Sequence, residues 1–143
     1  MWLIYAISAA MLWGLTYSLD EKVLQNKVSP YTLLLAQAVF TIIAYVAVIW
    51  PSNVKTDFSI ILKNRNIAFL LTAAACCTVI ANVLIYYSIK EKNATIAGII
   101  ELAYPLFTIF FSYVLFKQVH LNWGVITGGI LIFLGVILIS ITN

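Results

Sequence analysis

The sequence predicts an all-α integral membrane protein with five transmembrane helices and its two termini on opposite sides of the bilayer. Three observations carry that expectation. Hydrophobic residues make up 64% of the chain and charged residues 9%, where a soluble domain carries about 25% charged residues. The mean hydropathy is +1.05, and a folded core of 143 residues is too small to hide that much apolar surface from water. The few charges also fall in groups, and they divide the chain into apolar stretches close to the ~20 residues that a helix needs to cross a bilayer. This composition excludes a water-soluble enzyme, a nucleic-acid reader and a disordered segment. The lipid bilayer is the expected surrounding, and residues 1–143 read as a single five-helix membrane domain.

The first span runs from Trp2 to Leu19, with Ala9, Trp13, Thr16 and Tyr17 on one face. No Lys or Arg precedes Lys22, so the basic start of a cleaved signal peptide is missing and this helix is expected to stay in place. A turn from Asp20 to Ser29 leads through Pro30 to the second span, Tyr31 to Trp50, where Gln37 and Thr41 share a face. A membrane-buried amide wants a partner, so Gln37 is expected to join helices or to contact a solute. The longest separator is Pro51 to Asn66. The third span, Ile67 to Ile89, carries Thr78, Asn82 and Tyr86 along one face. Its adjacent Cys76 and Cys77 can neither bridge each other normally nor offer metal-ligand spacing, and read as small packing residues. A tight reversal, Lys90 to Asn93, opens the fourth span, Ala94 to Phe116, and Lys117 to Asn122 leads into the fifth, Trp123 to Ile141. Trp2, Trp50 and Trp123 sit at span ends, where indole rings favour the headgroup layer. His120, alone in its loop, is expected to be solvated or interfacial and not catalytic.

The fourth span holds the chemistry. Glu101 lies inside it, about 10 Å from the nearer end at about 1.5 Å per residue. A charge near the bilayer centre costs roughly 2.5–3.5 kcal/mol, so this side chain should face protein or water. Pro105, one turn later, lacks the amide hydrogen that would bond the Glu101 carbonyl and marks a helix kink. Ala94, Ala97, Glu101, Pro105, Thr108 and Ser112 form one small and polar stripe, opposite Ile96, Ile99, Phe107, Phe110 and Val114. The stripe reads as the wall of a cavity whose carboxyl binds a proton or a cation, or else as a hydrogen-bonded helix contact beside the kink. Asn82, Tyr86 and Gln37 are the candidate polar contacts. Trp13, Tyr17, Tyr86 and Tyr104 would make an aromatic box for an organic cation, with aromatic packing between helices as the alternative.

The fifth span has no charge but carries Gly124, Gly128, Gly129 and Gly135, with Gly124 and Gly128 in the spacing that lets helix backbones approach closely. It is expected to pack against another helix, in the same chain or in a second copy. No nucleophile with a base and no cluster of metal ligands stands in the sequence, so no enzymatic activity, metal or cofactor is expected.

Net charge is +3 and the basic residues are scattered, so no nucleic-acid partner is implied. With the N-terminus placed inside, Lys55, Lys63, Arg65 and Lys117 lie on that side and Lys22, Lys27, Lys90 and Lys92 on the other. Because Lys and Arg bias normally sets orientation, an even split allows insertion in both senses. Two oppositely inserted copies would form an inverted pair like the inverted repeats of transporters. A single orientation set by the N-terminal amine, a partner or helix hydrophobicity is the other outcome.

The stretches AMLWGLTYSLDEKVLQNKVSP from Ala10, IYYSIKEKNATIAGIIELAYPLFTIFFSYVLFKQ from Ile85 and GGILIFLGVIL from Gly128 resemble the EamA-type repeat of the drug/metabolite transporter superfamily. The carriers of the likeness are Trp13-Gly14, Ser29-Pro30, the short turn between third and fourth spans, Pro105 and the Gly129/Gly135 pair. The resemblance implies one half of a ten-helix transporter, similar to stand-alone five-helix members that work as dimers. It further implies a multi-pass protein of the cytoplasmic membrane that moves a small organic metabolite or drug-like solute by alternating access without ATP. An antiparallel homodimer or a paired homologous subunit would be the partner. A transporter of a lipid-linked intermediate and an accessory membrane subunit are the rival readings. Gln37 stands where many members have arginine, Tyr104 where many have the glutamate before proline, and Gln118 where a loop glutamate is common. Glu101 therefore inherits no family role, and its function is inferred from its own surroundings.

Overall fold

The structure is a computed structural model that describes residues 1–49, 54–118 and 121–142, without the side chains of residues 55–57. Trp50 and His120 lie outside the described residues. Every element among those residues is a helix: α1 (Trp2–Gln25), α2 (Pro30–Ile49), α3 (Val54–Lys63), α4 (Arg65–Glu91), α5 (Ala94–Glu101), α6 (Tyr104–Phe116) and α7 (Trp123–Thr142). With α5 and α6 taken as one span, five helices are long and apolar enough to cross a membrane. Trp2 and Trp123 stand exposed at the starts of α1 and α7.

Three boundaries differ from the sequence-based expectation. The first helix does not stop at Leu19 but continues through Asp20, Glu21 and Lys22 to Gln25. Charge marks where a helix meets water, not where it ends. Here Glu21 Oε1 accepts from Gln25 Nε2 at 3.1 Å, and the helix closes only where Lys27 takes a left-handed φ of 65°. The long separator holds a helix of its own, α3, with Phe58, Ile61 and Leu62 set among polar residues. Asn64 then caps α4 by accepting from the amides of Asn66 and Ile67. Finally, the fourth span is broken, not merely kinked. Without an N–H on Pro105 the backbone tightens into short-range bonds, Leu102 N to Ile99 O at 3.2 Å and Ala103 N to Ile100 O at 3.1 Å.

The core sits at one end of the bundle. Leu24 of α1, Pro30 and Leu33 of α2, Tyr86 and Ile89 of α4, and Ala94 and Ala97 of α5 are buried. These are the last turns of α1 and α4 and the first turns of α2 and α5. Glu21 Oε2 reaches across to accept from the Ala94 amide at 3.0 Å, and Tyr31 meets Tyr87 edge to face, with ring centroids 5.8 Å apart. Alanine at positions 94 and 97 lets α5 come close, the usual device where lipid offers no hydrophobic drive between helices. The other end is open. Neither α6 nor α7 buries a single residue. Cys76 and Cys77 are both exposed, so they face outward and not into helix packing.

Candidate functional site

At the edge of this core α1, α4, α5 and the first residue of α6 enclose a half-open groove of about 640 Å³. Its floor is built on glycine: a Cβ at Gly98 would already stand 3.4 Å from Tyr17 Cδ2, so the bare backbone of α5 seats the Tyr17 ring. From that position the Tyr17 hydroxyl donates to Glu101 Oε2 at 2.5 Å. Trp13, one turn earlier on α1, tilts over Tyr17 with centroids 5.9 Å apart. Thr78 and Asn82 line the groove from α4, Glu101 and Leu102 from the end of α5, and Tyr104 from α6. Thr78 is tied back to the Ala74 carbonyl. Its neighbour Asn82, partly exposed, makes no hydrogen bond to a described residue and lines the same groove.

Of the residues singled out from sequence, Glu101, Trp13, Tyr17, Asn82 and Tyr104 therefore line one groove. Tyr86 and Gln37 do not join it. The Tyr86 hydroxyl donates to Gln37 Oε1 at 2.5 Å, and Gln37 Nε2 donates to Asp20 Oδ1 at 2.6 Å, a chain that ties α4 to α2 to α1. The aromatic box is thus three rings, Trp13, Tyr17 and Tyr104, without the fourth. The stripe of the fourth span divides at the break. Ala94 and Ala97 enter the core and Glu101 the groove, while Thr108 and Ser112 line a separate apolar groove with Ile109 and Phe110. Pro105 sits in the first turn of α6.

The glycines of α7 have distinct surroundings. A Cβ at Gly129 would fall 2.8 Å from Leu106 Cδ2, a close approach between α7 and α6. At Gly128 and Gly135 nothing lies within 4 Å, and at Gly124 the neighbour is the side chain of Asn122, two residues earlier.

Asp20 was hidden from sequence reasoning by its place in a predicted turn. Its signal was nonetheless present: Trp13, Thr16, Tyr17 and Asp20 keep the helical i, i+3, i+4, i+7 spacing. Among the described residues no three His, Cys, Asp or Glu gather as a metal site would need.

Five helices of membrane-crossing length and composition, with tryptophan, asparagine and a carboxyl group along a shared groove, define a multi-pass membrane protein. The comparison with known families makes the class specific. The model of the EamA-like transporter family matches residues 1–141, and the chain belongs to that family, whose members are membrane transporters of small solutes. No curated protein and no solved structure matches the chain.

Proposed function

We propose that the chain is one half of a secondary transporter for a small organic solute, completed in the cytoplasmic membrane by a second, oppositely inserted copy. Its termini then lie on opposite sides, and transport proceeds by alternating access. The observation that carries the reading is the Tyr17–Glu101 hydrogen bond on the wall of the groove. A carboxyl group held by one phenol, beside Asn82 and the faces of Trp13 and Tyr104, is a site that a proton and a cationic solute would compete for. When the proton occupies Glu101, the solute leaves; when the solute displaces it, the proton is released.

The exposed surface supports a second copy. The chain exposes 11700 Å², where a compact protein of 15.9 kDa would expose roughly 7,400 Å². The excess on one protomer is larger than the roughly 1,000–2,500 Å² that each partner of an obligate dimer buries, so it leaves room for a partner as well as for lipid. It lies on the open end and on α7, where Gly128 and Gly135 leave a bare backbone face.

The test is driven flux in proteoliposomes under an imposed pH gradient, across a panel of organic cations and metabolites. Glu101→Gln keeps an acceptor for the Tyr17 hydroxyl and removes the carboxyl group, so it should fold normally and lose driven flux. Tyr17→Phe should retain flux with a displaced pH profile. Normal coupled flux in Glu101→Gln would remove the carboxyl from the mechanism.

A further inference from the structure

The proposed cycle uses Glu101 and leaves Asp20 without a task. Asp20 lies on α1 one turn beyond Tyr17 and is 3% exposed. Only one of its oxygens is held, Oδ1, by Gln37 Nε2 at 2.6 Å. Gln37 is itself fixed, because its Oε1 accepts the Tyr86 hydroxyl at 2.5 Å. Turned over, the amide would set its oxygen against Asp20, a contact that forms a hydrogen bond only when Asp20 carries a proton. The second oxygen of Asp20, Oδ2, is buried and accepts no hydrogen bond from a described residue.

An ionised carboxylate here would hold its charge in surroundings of low dielectric with one oxygen accepting no hydrogen bond. That is the costliest state for a buried polar group. A proton on Oδ2 cancels the charge and needs a single lone pair. A hard metal cation, by contrast, needs about six oxygen ligands, and here the group against Oδ1 is an N–H donor that repels a cation. The titratable groups around Asp20 do not replace the proton. Tyr86 faces it from α4, Tyr17 stands one turn back on α1, and neither brings a positive charge. Glu21, next on α1, is turned to the Ala94 amide at the start of α5, and α2 contributes the neutral Gln37. On α5, Glu101 is bonded to Tyr17.

We propose that Asp20 is a second proton-binding site, separate from Glu101 and held in the closed end of the bundle by Gln37 and Tyr86. Tyr17 and Asp20 are three residues apart on one helix face, roughly 5–6 Å between their Cβ atoms, so the two carboxyl sites flank a single phenol. The inference rests on the proposed coupling only for the use made of the proton, not for its place.

The experiment is infrared difference spectroscopy of the full chain in lipid bilayers, with pH steps and aspartate-specific ¹³C labelling. The sequence contains two aspartates, Asp20 and Asp57, so a carboxyl band that moves on labelling belongs to one of them. The expected result is a protonated aspartate band that persists in Asp57→Asn, is lost in Asp20→Asn, survives in Glu101→Gln and is indifferent to replacing sodium by choline. The labelled native chain and Asp57→Asn decide the matter even if Asp20→Asn does not fold. No such band at any pH where the protein is folded would overturn the proposal. So would its loss in Asp57→Asn, or its appearance only after sodium is removed, which would make Asp20 a metal-cation ligand. Normal driven flux in Glu101→Gln would defeat the reading of Glu101 and leave this band where it is.

Discussion

Substituting the two adjacent glycines of α7 in turn tests which of its faces is occupied within a single protomer. A Cβ at Gly129 falls 2.8 Å from Leu106 Cδ2 of α6, while one at Gly128 has nothing within 4 Å. Carbon atoms settle at about 3.5–4.0 Å, so Gly129→Ala obliges Leu106 to retreat by roughly 0.7 Å or more. The obstructing atom is the end of a flexible side chain, which puts the cost at the low end of overpacking, about 1 kcal/mol. Gly128→Ala meets no atom and removes the backbone freedom of glycine inside a helix, a gain of about 0.5–1 kcal/mol. Gly129→Ala shares that backbone gain, so the two alanines should differ by the overpacking cost alone, about 1 kcal/mol, with Gly128→Ala stabilising and Gly129→Ala close to neutral. The assay is reversible unfolding of the purified protein by denaturing detergent, followed by circular dichroism. Shortening the obstructing side chain in Leu106→Ala should relieve Gly129→Ala of that cost, an interaction that a double-mutant cycle isolates. If Gly129→Ala proved as stable as Gly128→Ala, the packing assigned to α7 would be wrong.

Gly128→Leu should lower the dimer fraction in detergent while Gly128→Ala keeps it, because only leucine would push a second helix away; equal dimerisation of both would leave that face to lipid. Gln37→Leu should destabilise more than Tyr86→Phe. It strands both Asp20 Oδ1 and the Tyr86 hydroxyl, at about 1–3 kcal/mol for each unpaired buried group, and unfolding midpoints of the two variants check the order. Tags at either terminus should be accessible from both sides of the membrane in a cell population, and two lysines added to one loop should bias them to one side. Uniform tag placement without a response to the lysines would reject dual insertion.

How far the sequence can be read depends on the kind of signal each residue sends. Apolar runs bounded by charges located every span, since the bilayer imposes a length and a composition that show directly in the chain. The groove was legible for the same reason: Glu101 is costly in lipid, and Trp13, Tyr17 and Asn82 sit at helical spacing on neighbouring faces. Asp20 was not legible as a buried group, because it begins a run of charges that looks like a loop. Only the continuation of α1 to Gln25, with the turns of α2 and α4 folded against it, turns its carboxyl inward. Tyr86 shares a face with Asn82 yet serves a different cluster. Spacing gives direction around a helix, and which neighbour stands in that direction is a tertiary fact. The helix α3 was missed because its ten residues are too few to register in a window scaled to a membrane span.

The placement of the core has a consequence for the order in which the protein comes into being. Among the described residues, every buried one lies in the stretch from Asp20 to Ala97. A chain emerging from its N-terminus therefore contains all of its interior once α5 has been made, before α6 or α7 exists. The first four helices and α5 can lock together around Ile89 while the rest is still being synthesised. The last two then enter beside a finished body, against which they have only surface to share. What is built last is what a newly made protomer still has free to offer to another molecule in the same bilayer.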